Sequence, residues 1–241
     1  MPASADLEIG SDAWQQLIVQ GAVRFNLSLH RGHTSLFAAH ARELILWNRK
    51  MNLTAIQSPL DVAVKHYLDS LLPAAFIDPG TSLLDVGSGA GFPGIPLKIV
   101  TSSLSATLVD ASRRKVAFMN HVIRKLGLKD IQAHQVRIEN LKDQEGCCQG
   151  FDRIVCRAFS NLKAFASLAL PYLKKTGMLI ALKGRAADSE LKQVTTLRHG
   201  ELHLKLKQQD GVQENLAVEV VERRLPYLND HRQIILLRRM G

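Results

Sequence analysis

Cysteine, aromatic residues and long apolar runs are all scarce in this 241-residue chain, and each shortage closes off a class of protein. There are three cysteines, Cys147, Cys148 and Cys156. No CxxC pair occurs, and an odd, clustered set does not build a disulfide framework. A reducing compartment, the cytoplasm, is the expected location. Aromatics make up 5% of residues, too few for the extended base-stacking platform of a single-strand-binding protein. No stretch reaches the roughly 18 apolar residues of a membrane span, so no membrane partner is expected. The opening segment MPASADLEIG has neither a basic head nor an apolar core, which predicts no secretory signal.

What remains is ordinary globular material with a strong charge bias. Hydrophobic residues make up 46% and charged residues 22%. Lys and Arg number 31 against 22 Asp and Glu, a formal charge of +9 with a pI near 9.7. Such a field attracts polyanions, nucleic acid before anionic membrane. The basic groups Arg113-Arg114-Lys115, Arg124-Lys125, Lys174-Lys175 and Lys183 with Arg185 fit phosphate contact, although scattered pairs also occur on solvated helix faces.

The chain divides by periodicity. Residues 11–76 predict helices: Ser11 to about Leu29, Thr34 to Trp47 with Thr34 as N-cap, and one starting at Ser58 with Pro59 in its first turn. Residues 1–76 are thus expected to form a helical cap and 77–241 a second, larger domain. After the breaker DPGTS, short apolar runs alternate with helical stretches. Strands are expected at 82–86, 106–110, 131–136, 152–156 and 178–183, and helices at 94–100, 112–126 and 161–174. This alternation is that of a doubly wound α/β sheet. Two further runs, 216–222 and 233–238, predict an antiparallel pair at one sheet edge.

The densest motif is SLLDVGSGAGFPGIPL, residues 82–97. Residues 89–94, GAGFPG, match the dinucleotide fingerprint GxGxxG, a weak signal alone. The strand ends at Asp85-Val86, so Gly87 opens the turn and the pattern becomes D-x-G-x-G-x-G. That form suits S-adenosylmethionine, which carries an ammonium and a sulfonium but no pyrophosphate. Asp85 can hold the ammonium or orient the loop, and Gly87 and Gly89 let a ligand approach the backbone. Asp110 at the second strand end can accept ribose hydroxyls. Ile138 and Glu139 after the third strand are placed to meet an adenine. Sites at successive carboxyl strand ends are where an open α/β sheet binds ligands.

These residues, with WNRKMNLTAI (47–56), HYLDSLLP (66–73), VDASRRKVAFM (109–119), FDRIVCRAF (151–159) and ALKGR (181–185), carry a resemblance to one family. Over roughly residues 36–185 the chain resembles the bacterial 16S rRNA guanine-N7 methyltransferases, once called glucose-inhibited division protein B. The resemblance implies a class I methyltransferase fold, with a seven-stranded, mostly parallel sheet, an antiparallel edge and an N-terminal helical cap. It implies S-adenosylmethionine as cofactor, 16S rRNA in the 30S subunit as partner, and N7 of one guanine in the 530 loop as acceptor. By matching motifs, cofactor contacts fall on Gly87, Phe92, Ile138, Glu139 and Arg157. The N-terminal lead is longer than in the shorter members. A monomer is expected.

The chemistry agrees with an N7 acceptor. Guanine N7 has an in-plane lone pair, so no general base is required. The fourth strand ends in CRAFSN, without the Asn/Asp-Pro-Pro-Tyr box that grips an exocyclic amine. Arg157 and Lys183 are the candidates to donate to guanine O6, as Arg and Lys do elsewhere; Arg113, Arg114, Lys115, Lys183 and Arg185 are the candidates for RNA contact. Cys156 lacks the preceding proline of a cytosine-C5 methyltransferase nucleophile and reads as buried packing. His66 and Asp69 supply two ligand types without a third, which favours a capping or helix–sheet contact over metal; no metal site is expected. Three competing readings stand: a methyltransferase for a protein or small molecule, a nicotinamide-dependent oxidoreductase using GAGFPG, and a non-catalytic RNA-binding or assembly factor.

Overall fold

A computed structural model describes residues 7–143, 150–157, 159, 161–184, 187–198, 201–207 and 213–240. The first helix, α1 (Asp12–Val23), starts where Ser11 Oγ accepts the Trp14 amide at 3.2 Å. It is shorter than the periodicity predicts, stopping before Asn26, which has a left-handed backbone. Helix α2 (Arg31–Met51) begins a turn earlier than expected, with His30 rather than Thr34 as N-cap, and ends on left-handed Asn52. The third helical segment starts as expected, with Ser58 capping Asp61 and Pro59 in the first turn. It runs through α3 (Pro59–Asp61), a π-helical stretch Val62–Leu68, α4 (Asp69–Leu71) and a 3-10 turn Leu72–Phe76.

Strands and helices then alternate: β1 (Ser82–Val86), α5 (Gly94–Val100), β2 (Ser105–Asp110), α6 (Arg113–Lys125), β3 (Ile131–Gln135), β4 (Phe151–Arg157), α7 (Leu162–Ala169) and β5 (Leu173–Gly184). The remainder is α8 (Ala187–Val194), β6 (Thr195–Arg198), β7 (Glu201–Lys207), β8 (Gln213–Arg224) and β9 (His231–Arg239). The sheet order is β3-β2-β1-β4-β5-β9-β8-β7-β6, parallel through β5 and antiparallel from β9 onward.

Nine strands, not seven, are therefore present among the described residues. The two additional ones, β6 and β7, extend the antiparallel edge. In β7, Leu202, Leu204 and Leu206 alternate with Glu201, His203, Lys205 and Lys207, the period of a half-buried strand. Helix α7 is also shorter than the expected 161–174: Pro171 sits in a 3-10 turn and β5 opens at Leu173.

Side chains of successive strand residues face opposite ways, so the sheet has two cores. Leu83, Val155, Ile180 and Ile234 face one side, where α1, α2, the π-helical stretch, α5 and α6 pack. Leu84, Ile154, Leu179 and Ile235 face the other, against α7 and α8. The N-terminal helices thus share one core with the sheet. Trp14 is fully buried, donates Nε1–H to the Pro59 carbonyl at 2.9 Å and meets Tyr67 edge-on. Tyr227, in the β8–β9 turn, donates its hydroxyl to the Leu17 carbonyl at 2.9 Å. Among the described residues no helix is long and apolar enough to cross a membrane.

Candidate active site

The turn after β1 is built by two carboxylates on adjacent strands. Gly87 and Ser88 donate their amides to the Val109 carbonyl on β2, at 2.9 and 3.1 Å. Asp110, at the end of β2, takes the Gly89 amide on Oδ2 at 3.0 Å and the Ser112 amide on Oδ1 at 2.8 Å. Lys115 Nζ stands 3.7 Å from the same Oδ2. Asp85 is fully buried, and its Oδ2 accepts the Gly94 amide at 2.8 Å. Its Oδ1 is buried without a partner. Burial pushes the Asp85 carboxyl up to about 7, against the pull of the Gly94 and Ser88 hydrogen bonds.

Gly87 and Gly89 have left-handed φ values of 71° and 60°. A Cβ at Gly87 would meet nothing within 4 Å, and one at Gly89 only a backbone oxygen at 4.0 Å. The turn therefore presents bare backbone to open space beside an unpartnered carboxylate oxygen. That is a fit for a ligand with a cationic end, as S-adenosylmethionine is. A pyrophosphate would bring the unpartnered Asp85 oxygen no donor and would stand between two carboxyl groups, Asp85 and Asp110.

Phe92 lies differently from Gly87 and Gly89. Its ring is 2% exposed and is sandwiched beneath the turn. The His66 ring stacks on it at 4.4 Å and 6°, His40 stacks at 4.9 Å, and the Arg157 guanidinium lies 5.1 Å from its centroid. Only its backbone is left to face a ligand. Ile138 and Glu139 follow β3 on a 3-10 turn (Ile138–Asp143), Ile138 buried and Glu139 exposed.

Arg157, at the end of β4, is held by a relay that composition and periodicity did not reveal. Asn48 in α2 exchanges two hydrogen bonds of 2.9 Å with the backbone of Thr54. The Thr54 hydroxyl lies 3.0 Å from His66 Nε2, and His66 Nδ1 lies 3.5 Å from Arg157 Nη2. Arginine only donates, so Nδ1 accepts and Nε2 carries the proton. Burial, with Arg157 and His40 nearby, depresses His66 to about 3 and keeps it neutral. Arg157 also donates Nη1–H to the Lys65 carbonyl at 2.9 Å. The WNRKMNLT and HYLDS stretches thus serve the arginine, which gives a physical reason for two motifs that the cofactor loop left unexplained.

Cap and turn are joined a second time by His40, whose Nε2 lies 3.0 Å from the Ala90 carbonyl and donates to it. Burial depresses His40 to about 4. Lys183 lies on β5 beside Arg157, with its ammonium 2.7 Å from Glu190 of α8. Asp69 accepts from Arg232 Nε at 2.9 Å, so it makes a helix–sheet contact. Arg113 and Arg114 are exposed on the first turn of α6. Arg185, Cys147 and Cys148 lie outside the described residues. Cys156 is buried, and that burial raises its thiol well above the ordinary value. A protonated, inaccessible thiol does not suit a nucleophile.

With this geometry in hand, the relatives are informative. A family model described as rRNA small subunit methyltransferase G matches residues 33–216. The chain belongs to this family. It is 40% identical over 228 residues to "Ribosomal RNA small subunit methyltransferase G" of Geotalea uraniireducens, covering 94% of this chain and 97% of that one. The protein of the same name from Geobacter sulfurreducens is 36% identical over 223 residues, covering 91% and 95%. A solved SAM-dependent methyltransferase from Aquifex aeolicus has the same fold, with a TM-score of 0.51 at 16% identity over 77% of this chain and 96% of that one. Membership of the rRNA small subunit methyltransferase G family agrees with the expected activity, methyl transfer to small-subunit rRNA, and with S-adenosylmethionine as donor.

Proposed function

We propose that the protein methylates N7 of one guanine in the 530 loop of 16S rRNA, acting as a monomer on the 30S subunit in the cytoplasm. The observation that carries this reading is the meeting, at Arg157, of an acidic glycine turn and a basic cleft along one sheet edge. S-adenosylmethionine, when bound, supplies an electrophilic methyl on a sulfonium that leaves as a neutral thioether. Everything else falls to the chain. The Asp85 oxygen without a partner receives the ammonium, Gly87, Gly89 and the Phe92 backbone flank the amino-acid end, and Asp110 receives the ribose hydroxyls. Ile138 and Glu139 meet the adenine. Asp110 already accepts two amides, and each oxygen keeps a lone pair free for a hydroxyl.

Positioning is the main task, because guanine N7 needs no deprotonation before attack. Arg157 donates to O6, and Lys183, with two N–H groups left beyond Glu190, assists. Arg113, Arg114, Lys115, Lys183 and Arg185 contact RNA phosphates. Residues 1–76 act as the cap and 77–241 as the catalytic unit.

The decisive test maps N7-methylguanosine in 16S rRNA from cells with and without the protein. Purified protein is then given labelled donor with naked 16S rRNA or with 30S subunits. One modified guanine that disappears with the gene is expected. Unchanged modification, or transfer only to protein, overturns the reading.

A further inference from the structure

Beside the glycine turn lies a cleft of about 430 Å³ between the cap and the ends of β4, β5 and β9. Lys65, Arg157, Lys183 and Arg232 line it, with Asp69 as the one carboxylate among the described residues. Their charges are not equally available. Lys65 pairs with Asp61 and Lys183 with Glu190, each at 2.7 Å. Arg157 and Arg232 share Asp69 as their ion-pair partner: Arg232 Nε is 2.9 Å from Oδ1 and Arg157 Nη1 is 3.9 Å from Oδ2, while the buried Asp85 carboxyl also acts on Arg157 without forming an ion pair among the described residues. Asp230 stands near Asp69 but forms no ion pair with either arginine. The surplus positive charge of the cleft therefore sits on this pair of guanidiniums.

Both arginine side chains are 20% exposed, while the Asp69 side chain is 6% exposed. Arg232 spends Nε on Asp69 and Nη1 on the His231 carbonyl, and its Nη2 has no partner among the described residues. A guanidinium pinned by a buried carboxylate, with one edge open, is prepared to grip an oxyanion. Strand register sets its distance from the methyl-transfer end. Arg157 on β4 pairs with Leu182 on β5, and Gly184 on β5 pairs with Arg232 on β9. Arg232 thus stands two strands out from β4, about 10 Å farther along the sheet edge at the backbone by ordinary strand spacing, and its guanidinium reaches back to Asp69 from the outer side. Base inside and phosphate outside is the order a nucleotide needs there.

We propose that the cleft seats the acceptor nucleotide, its base toward Arg157 and a backbone phosphate on Arg232, and that Asp69 is the positioning residue holding both arginines. This assignment rests on the rRNA-methyltransferase reading above.

The test compares wild type with Arg232→Gln and Arg232→Lys for methyl transfer to small-subunit RNA, while calorimetry follows S-adenosylmethionine. In Arg232→Gln the RNA KM rises about tenfold with kcat within about twofold, as loss of one charge-assisted contact predicts. The slope of log affinity against log salt falls by about 0.7, the value for one single-strand phosphate. Arg232→Lys restores the slope, and donor binding is unchanged in both. An unchanged KM, or a loss of kcat with an unchanged salt slope, overturns the phosphate assignment. A second measurement needs no variant: guanosine monophosphate should inhibit wild type about tenfold more strongly than guanosine, and equal inhibition also overturns it. A wild type that methylates no small-subunit RNA sinks the wider reading instead.

Discussion

The two ends of the sheet edge carry opposite charge and are held in opposite ways. At the β1–β2 end, Asp85 and Asp110 receive backbone amides and leave carboxylate oxygen facing inward. At the β4–β9 end, two arginines gather at one buried carboxylate, Arg157 held also by His66 and the Lys65 carbonyl, and both line the cleft. The first arrangement suits a cationic donor and the second a polyanionic acceptor. The difference shows that a site for two substrates can be sorted by which partner of each ion pair is buried and which is left open.

The largest effect is expected at Asp110. Asp110→Ala removes two charge-assisted bonds of about 1.5–3 kcal/mol each, so donor affinity by calorimetry should fall about 100-fold or more; near-normal affinity would remove the acidic end from the argument. Arg157→Ala tests the junction. A tenfold or greater loss of kcat/KM is expected from lost positioning, and wild-type turnover would strip it of that role.

Gly91 sharpens the claim that the turn is built for its shape. Its φ is 87°, and a Cβ there would collide with Ile95. Gly91→Ala should cost about 1–3 kcal/mol in denaturant unfolding. Asp85 adds a pH signature. Its folded value near 7 exceeds the ordinary 3.8, so the stability gained by holding it protonated is full below about pH 4 and lost as pH rises to about 7. His40 and His66, depressed to about 4 and 3, act the other way: their contribution is full above 6.5 and is lost on acidification. Asp85→Asn removes only the first effect. Its melting temperature relative to wild type should rise by a few degrees between pH 5 and pH 8; a difference that stays the same at both would show that burial does not trouble this carboxylate. The smallest effect is expected at Cys156, where Ser should leave turnover within about twofold. Complete inactivation of a folded variant would reopen the nucleophile.

Much of the donor end is legible in sequence because its features are local. Glycines at 87, 89, 91 and 94 follow one strand, and Asp110 closes the next. Helix α5 matches the expected 94–100, and α6 falls within 112–126. The acceptor end is not local. Asp69 and Arg232 are separated by 163 positions and meet only where α4 packs over the end of β9. The cap misleads for a related reason. An apolar stripe at Leu36, Phe37, Leu44 and Trp47 is readable, yet α2 also buries His40, Glu43 and Asn48. These polar residues are paid for by distant partners, His40 by Ala90 and Glu43 by His121 and Lys125 of α6. Strand β7 falls outside the expected strands, because the polar residues between Leu202, Leu204 and Leu206 mask their alternation.

The His40 bond to Ala90 and the Asn48–Thr54–His66–Arg157 relay also bear on protein engineering. The donor-binding half is not a portable module. A fragment beginning at β1 would lose the side chain that pins the Ala90 carbonyl, the rings that cover Phe92 and every fixing of Arg157 on its cap side. Inactivating substitutions should therefore be spread through α2 and the segment after it, as well as at the residues that line the turn and the cleft.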